Sequence, residues 1–574
     1  MSEFRHKIIQ AYSDGIFLKE LKSIYRENIE LRESIGEELA FLHNQKKIDV
    51  VSEFMDLRND DSNIDFFGTR HFFGKCLRFI DAPVADVMQC VTHLTVEAGN
   101  DLAAGILYPE FAEFCFGSKD RPKQALNELL KTQDIDSEIL TRVLIAGSRF
   151  DLDKYLSTTI ELLHDSRYKF KIGATSALGY LEYGEEKQAL KKAFDALVSK
   201  ATVAKSDHLL SILLQSAFEI YKKDNIDSKS FKEFCLNVFE KKGPYVIHAV
   251  ASLLFRESKY FSDELKIEFL AELKSVNCEH SGTLDLIDNI LAEMISTHLC
   301  EYAVSYLKYI LIQNREIAIG SFDGTVNEII DNENVLKKIV TKWFLSKRVK
   351  LCRAVHDIVA SAHNKLLLNL DESQISEDVD YLFLARKCCG WLVMFPVSAG
   401  SYFLSIYECA PKVYTNDLDN IFFDLMLLNY PGELRKYIFA EKRNFNIATQ
   451  KWCDDLLERL SVYHDEFEKM KGFKEFKPSA ADLNVYQHKE YLRQSEIHKE
   501  ARNNSIFASI AQSVVLLYGE ASITYTNELS DEPKRAEFPL QSFTHSIEYP
   551  SLDILDPIRL DYYSSIFRIE GCES

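Results

Sequence analysis

The chain has 574 residues, too many for one compact core, so it divides into several domains or extends as a repeat array. Its 68 basic residues against 88 acidic ones leave a net charge of −20, which repels phosphate backbones at long range. That balance disfavours whole-surface nucleic-acid binding and leaves room only for a local basic patch. With 12 Pro and 21 Gly there is too little turn chemistry for many short strands, which favours helices joined by short loops.

The N-terminus, MSEFRHKIIQAYSDG, lacks the basic-then-apolar pattern of a secretory signal. Residues 1 to about 60 read as charged helices ending at the polar cluster LRNDDSN, Leu57 to Asn63. That cluster has neither the central glycine nor the terminal glutamate of a calcium loop. GTRHFFGKC, Gly68 to Cys76, comes nearest to a phosphate-binding loop. It has one residue too many between its glycines, and Cys76 stands where a magnesium-binding hydroxyl belongs.

Between Lys171 and Lys200 the residues Ala174, Ala177, Leu178 and Leu181 fall on one helix face. Gly184 reads as a helix stop, and Ala189, Leu190, Ala193, Phe194 and Leu197 mark the next helix. The pair is a helical hairpin. HLLSILLQSAFEIYKK, from His208, pairs with a helix whose stripe is Phe231, Phe234, Cys235 and Val238, with Ser230 and Glu233 placed as a capping box. Pro244 suits a first helical position. First helices begin near Phe170, Ser206, Tyr245 and Leu284, and again near Gly324, a step of roughly 38 residues that fits stacked two-helix repeats. The segment Ala174 to Leu197, ATSALGYLEYGEEKQALKKAFDAL, resembles a HEAT-type repeat. The resemblance implies an α-solenoid whose curved surface binds proteins and sometimes nucleic acid.

GSFDGTVNE, Gly320 to Glu328, reads as a loop leading into a helix, with Asp323 in the turn. KWFLSKRVKLCR holds Lys342, Lys347, Arg348, Lys350 and Arg353. On a continuous helix Lys347 and Lys350 share one side, with Trp343 one turn back on it. His356 and His363 are two turns apart, about 10 Å along a helix, too far to share a metal ion. The apolar region Tyr381 to Tyr407 is interrupted by Arg386, Lys387 and Pro396, so it reads as two core helices broken at Phe395-Pro396-Val397 and not as a membrane span. A boundary falls near Pro478.

A long helix then runs to Gly519, taking in SVVLLY, and beyond it the period changes. SITYTN alternates polar residues with Ile523 and Tyr525, and FTHSIEY puts Phe543, His545, Ile547 and Tyr549 on one side. ELSDEPKR reads as the polar connection, and Pro539 as an edge or bulge. Asp556-Pro557 opens a last helix with Leu560, Tyr563 and Phe567 on its apolar face. The expectation is a small sheet of about three strands between two helices, either capping the array or receiving a partner's strand.

No GxGxxG, HExxH or GxSxG occurs. The 12 cysteines stand singly except for Cys388-Cys389, form no CxxC, and read as small buried hydrophobes in a reducing cytosol. The expected fold is mostly α: an irregular HEAT-like solenoid with a small C-terminal α+β module. Its parts are an N-terminal helical region at 1–120, the solenoid at 121–480 and the module at 481–574. The expected function is a cytoplasmic, non-enzymatic scaffold or adaptor binding a protein partner, with the general look of an accessory subunit in a bacterial multi-protein system such as antiviral defence. The alternatives are a nucleic-acid-contacting accessory subunit and an enzyme without a legible motif. No catalytic, cofactor-binding or metal-binding residue is expected, and no cofactor. The candidate interaction residues are Lys347, Arg348, Lys350, Phe543, His545 and Tyr549.

Overall fold

The structure, a computed structural model, describes residues 2–27, 32–60, 64–101, 103–223, 226–362, 366–470, 479–503, 521–526, 534–539, 548–552 and 557–572. The described residues include 28 α-helices, and none is long and apolar enough to cross a membrane. The chain divides into two compact units, Met1–Ile290 and Leu291–Ser574.

In the first unit a run of helices forms successive hairpins: α1 (Ser137–Ser148), α2 (Leu152–Leu162), α3 (Tyr168–Tyr180), α4 (Lys187–Val203), α5 (Asp207–Tyr221), α6 (Ser228–Phe239) and α7 (Pro244–Arg256). Helices α1, α3, α5 and α7 pack each on the next, and α2, α4 and α6 make a second row. The predicted stripes face the core. Ala174, Ala177, Leu178 and Leu181 are buried, as are Leu190, Phe194 and Leu197. Burying a Leu or Phe side chain contributes about 2 kcal/mol.

Small residues set the spacing of the first row. A Cβ on Gly173 would lie 2.6 Å from the Ser137 carbonyl oxygen, and one on Gly179 would lie 3.0 Å from Ser216 Cα. Thr141 Oγ1 donates to the Gly173 carbonyl at 3.1 Å, closing the α1–α3 seam with a polar contact.

Two local details differ from the sequence reading. Gly184 adopts a positive φ of 54°, but in the turn beyond the end of α3 and not at the helix terminus. The cap of α6 is Asp227, whose carboxylate accepts from the Ser230 amide at 2.9 Å. The helix therefore starts before Ser230. An aspartate outside the first turn also meets the positive end of the helix dipole, which a serine inside it does not.

The second unit contains α8 (Cys300–Gln313), α9 (Glu333–Leu345), α10 (Val349–Ser361), α11 (Asp380–Leu392), α12 (Pro396–Cys409) and α13 (Pro431–Glu441). Pro396 begins α12, and the break at Phe395 divides the apolar region into two packed core helices as the pattern predicts. Gly68 to Cys76 lies inside a helix capped by Asp65, so its glycines form no phosphate cradle.

The expected C-terminal α+β module is not supported. The described residues there hold one antiparallel ribbon, β1 (Ala521–Thr526) with β2 (Lys534–Pro539), in the register Ala521↔Pro539 to Thr526↔Lys534. Its second strand starts in residues read as a polar connection. Among the described residues the sheet has these two strands and no third, and a two-stranded ribbon by itself is marginal in water. The strand expected at Phe543 to Tyr549 falls outside the described residues through 547, as do Asp556 and the predicted helix end at 504–519.

The last helix, α14 (Pro557–Ile569), packs on α11 and α10. Leu560, from its predicted apolar face, is buried. Arg568 Nε donates to the Gly390 carbonyl at 2.6 Å, Lys387 Nζ donates to the Arg568 carbonyl at 2.8 Å, and Arg386 pairs with Glu570 at 2.7 Å. Just before α14, the Glu548 carboxylate accepts from the amides of Gly432 at 2.8 Å and Glu433 at 2.6 Å. It thereby caps the first turn of α13 from 115 or so residues away, where a carboxylate suits the dipole.

The cysteines make a direct test of the core. Burial pushes the Cys115 and Cys389 thiols up to about 12, and Cys235 well above the ordinary range. Cys278, Cys300, Cys409 and Cys572 are half-buried, and the other cysteines are buried. In native buffer these four should react first with an aromatic disulfide reagent, and all 12 should react only in denaturant. Rapid titration of every thiol in the native state would contradict this core.

Candidate partner-binding surface

Ser346 to Arg348 form a turn between α9 and α10, so the basic stretch is not one helix. Lys347 has a positive φ of 56°, is exposed, and holds its ammonium 5.7 Å from the Phe383 ring. Arg348 is exposed at the start of α10. Lys350 is half-buried and its Nζ donates to the Asn314 carbonyl. Burial, followed by the nearby charge of Arg315, moves its pKa down. Trp343 is fully buried, so it shares no exposed face with these cations. Tyr549 is exposed, while Phe543 and His545 lie outside the described residues, as does His363. His356 instead faces Asp357 at 2.9 Å and the Phe395 ring at 5.3 Å. Among the described residues no group of three or more His, Cys, Asp or Glu side chains could hold a metal ion.

A different set of residues forms an ordered exposed surface. Tyr168, His208 and Tyr245 stand at the first or second position of α3, α5 and α7. Because those helices pack in one row, the three rings come together. Tyr168 and His208 have ring centroids 6.4 Å apart, and His208 and Tyr245 are 5.1 Å apart. Tyr168 is 44% exposed and Tyr245 60%.

Polar contacts hold the row in place. Tyr168 Oη lies 2.9 Å from Ser206 Oγ and 3.3 Å from His208 Nδ1. The Asp207 carboxylate accepts from the amides of Gly243 at 2.7 Å, Tyr245 at 2.7 Å and Val246 at 3.3 Å. Asp207 thus caps α7 across the hairpin boundary and fixes the backbone that carries Tyr245. Rings held this way lose little further entropy on binding, which is why tyrosine suits contact surfaces.

Sequence reasoning missed this row. Its signal was an aromatic residue or histidine recurring at the start of successive first helices, but only the packing of the row shows that such starts are neighbours. No family model matches the chain, and no curated protein matches it. Among solved structures it is similar to one described as an engineered protein, at 11% identity and a TM-score of 0.20, over 77% of this chain and 98% of that one.

Proposed function

We propose that the chain is a scaffold or adaptor, a HEAT-like array of helical hairpins that binds a protein partner through exposed side chains on its helices. The observation that carries this reading is the pre-ordered row Tyr168, His208 and Tyr245, which leaves large ring faces in water on a repeated framework. The nucleic-acid alternative draws less support, because Lys350, one of its three cations, is committed to the Asn314 carbonyl.

The test is affinity purification of the tagged full-length chain from its native host, with mass spectrometry and nucleic-acid extraction. A variant with Tyr168→Ala, His208→Ala and Tyr245→Ala runs beside it. A stoichiometric protein partner should copurify with the wild type and fall at least about tenfold with the variant, as loss of interface anchors requires. Exposed substitutions each change stability by about 0.5 kcal/mol or less, so the variant should stay folded. Recovery of nucleic acid without protein, or equal recovery by both chains, would count against the reading.

A further inference from the structure

Helices α8 and α9 of the second unit leave a groove between them with a cavity volume of about 210 Å³. Val304 from α8 and Val335, Ile339 and Trp343 from α9 give it an apolar slot, and Glu301, Ser305 and Asn334 also line it. Lysines on both helices also line it, Lys308 from α8 and Lys338 and Lys342 from α9. Lys338 is matched, since it pairs with Glu301. Lys308 and Lys342 have no ion-pair or hydrogen-bond partner among the described residues. Trp343 lines the same groove and is fully buried, and among the described residues its indole N–H has no hydrogen-bond partner.

We propose that this groove binds an acidic peptide segment of a protein partner, with an apolar side chain between the aliphatic walls and carboxylates on Lys308 and Lys342. Charge complementarity favours this occupant. The groove places two unmatched cations, Lys308 and Lys342, beside an apolar slot. A nucleic-acid strand offers phosphates but no aliphatic group for Val304, Val335 and Ile339. The inference rests on the adaptor reading only in that the ligand is protein.

The probe is a short fluorescein-labelled peptide alternating glutamate with leucine, titrated against the full-length chain by anisotropy at low salt. Its glutamine counterpart and an oligothymidylate of equal charge serve as controls. The glutamate peptide should bind and weaken with added salt. K308E/K342E should weaken it at least about tenfold without shifting the thermal melt, because neither lysine has a partner to lose. No binding of the glutamate peptide would overturn the proposal, as would equal binding of its glutamine counterpart or an unchanged affinity in K308E/K342E. Oligothymidylate binding as tightly, with the same sensitivity to K308E/K342E, would make the groove a phosphate site and overturn it too. The two readings fail separately. A native partner still captured by K308E/K342E leaves the adaptor and removes the groove. Peptide binding with no native protein partner removes the adaptor and leaves the groove.

Discussion

Replacing Phe218 by alanine is expected to destabilise the first unit by about 4 kcal/mol, the usual cost of deleting a phenyl ring from a packed core. Phe218 sits on α5 with no exposed surface. Its ring stacks on Phe261 at 5.1 Å and meets Phe231 and Tyr260 at 6.1 Å each and Tyr221 at 6.3 Å. Tyr221 and Phe231 are themselves stacked at 4.4 Å, so the hairpin α5–α6 and the segment after α7 share one aromatic cluster. A cavity at its centre cannot collapse without moving several rings together, so little of the cost is recovered by relaxation. For a unit of this size the first thermal transition should fall by about 8 °C. Tyr245→Ala, in the same array but 60% exposed, is the control and should shift it by about 1 °C or less. Comparable melts for the two variants would show that Phe218 is not central to the core.

Gly390→Val should release the last helix. A Cβ at Gly390 would lie 2.9 Å from the Arg568 amide nitrogen, 2.9 Å from Phe567 Cβ and 3.0 Å from the Phe567 carbonyl carbon. Two of these are backbone atoms of α14, which cannot rotate away as a side-chain tip would. Displacing α14 also breaks the bond from Arg568 to the Gly390 carbonyl and takes the Arg568 carbonyl away from Lys387, which is fully buried and otherwise donates to Cys572 Sγ just beyond the same helix. An unpaired buried ammonium is costly, so the clash and the lost acceptor act in the same direction. The expected penalty is about 3 kcal/mol, toward the top of the overpacking range. It is read as lost hydrogen-exchange protection over residues 557–569 and as faster labelling of Cys572. Gly390→Ala should move both readouts the same way by less. Full protection of the helix in Gly390→Val would show that α14 does not seat on Gly390.

The sequence by itself determined the helices and much of what they bury. The stripe Ala174, Ala177, Leu178 and Leu181, the stripe Phe231, Phe234, Cys235 and Val238, and the break before Pro396 are all legible there. They are legible because each rests on contacts within one or two helical turns, where the 3.6-residue period and the chemistry of proline act locally. The starts of the first helices, Tyr168, Asp207 and Pro244, fall within two residues of the expected Phe170, Ser206 and Tyr245 for the same reason. The shift of the α6 cap from Ser230 to Asp227 is the size of error that local reasoning allows.

Tertiary structure decided everything that depends on residues far apart in the chain. The row Tyr168, His208 and Tyr245 exists because first helices pack on one another, and the α8–α9 groove exists because side chains from two helices frame one hollow. Lys350 is drawn to the Asn314 carbonyl, Glu548 to the start of α13, and α14 to Gly390. None of these leaves a periodic trace, since a single hydrogen bond or a single missing Cβ occupies one position and repeats nowhere. The alternating segment Ser522 to Asn527 does give a strand through Thr526, but the small module expected around it is not supported. Period two is a local property, but a sheet needs partner strands and a covered face, and these are set by the rest of the fold.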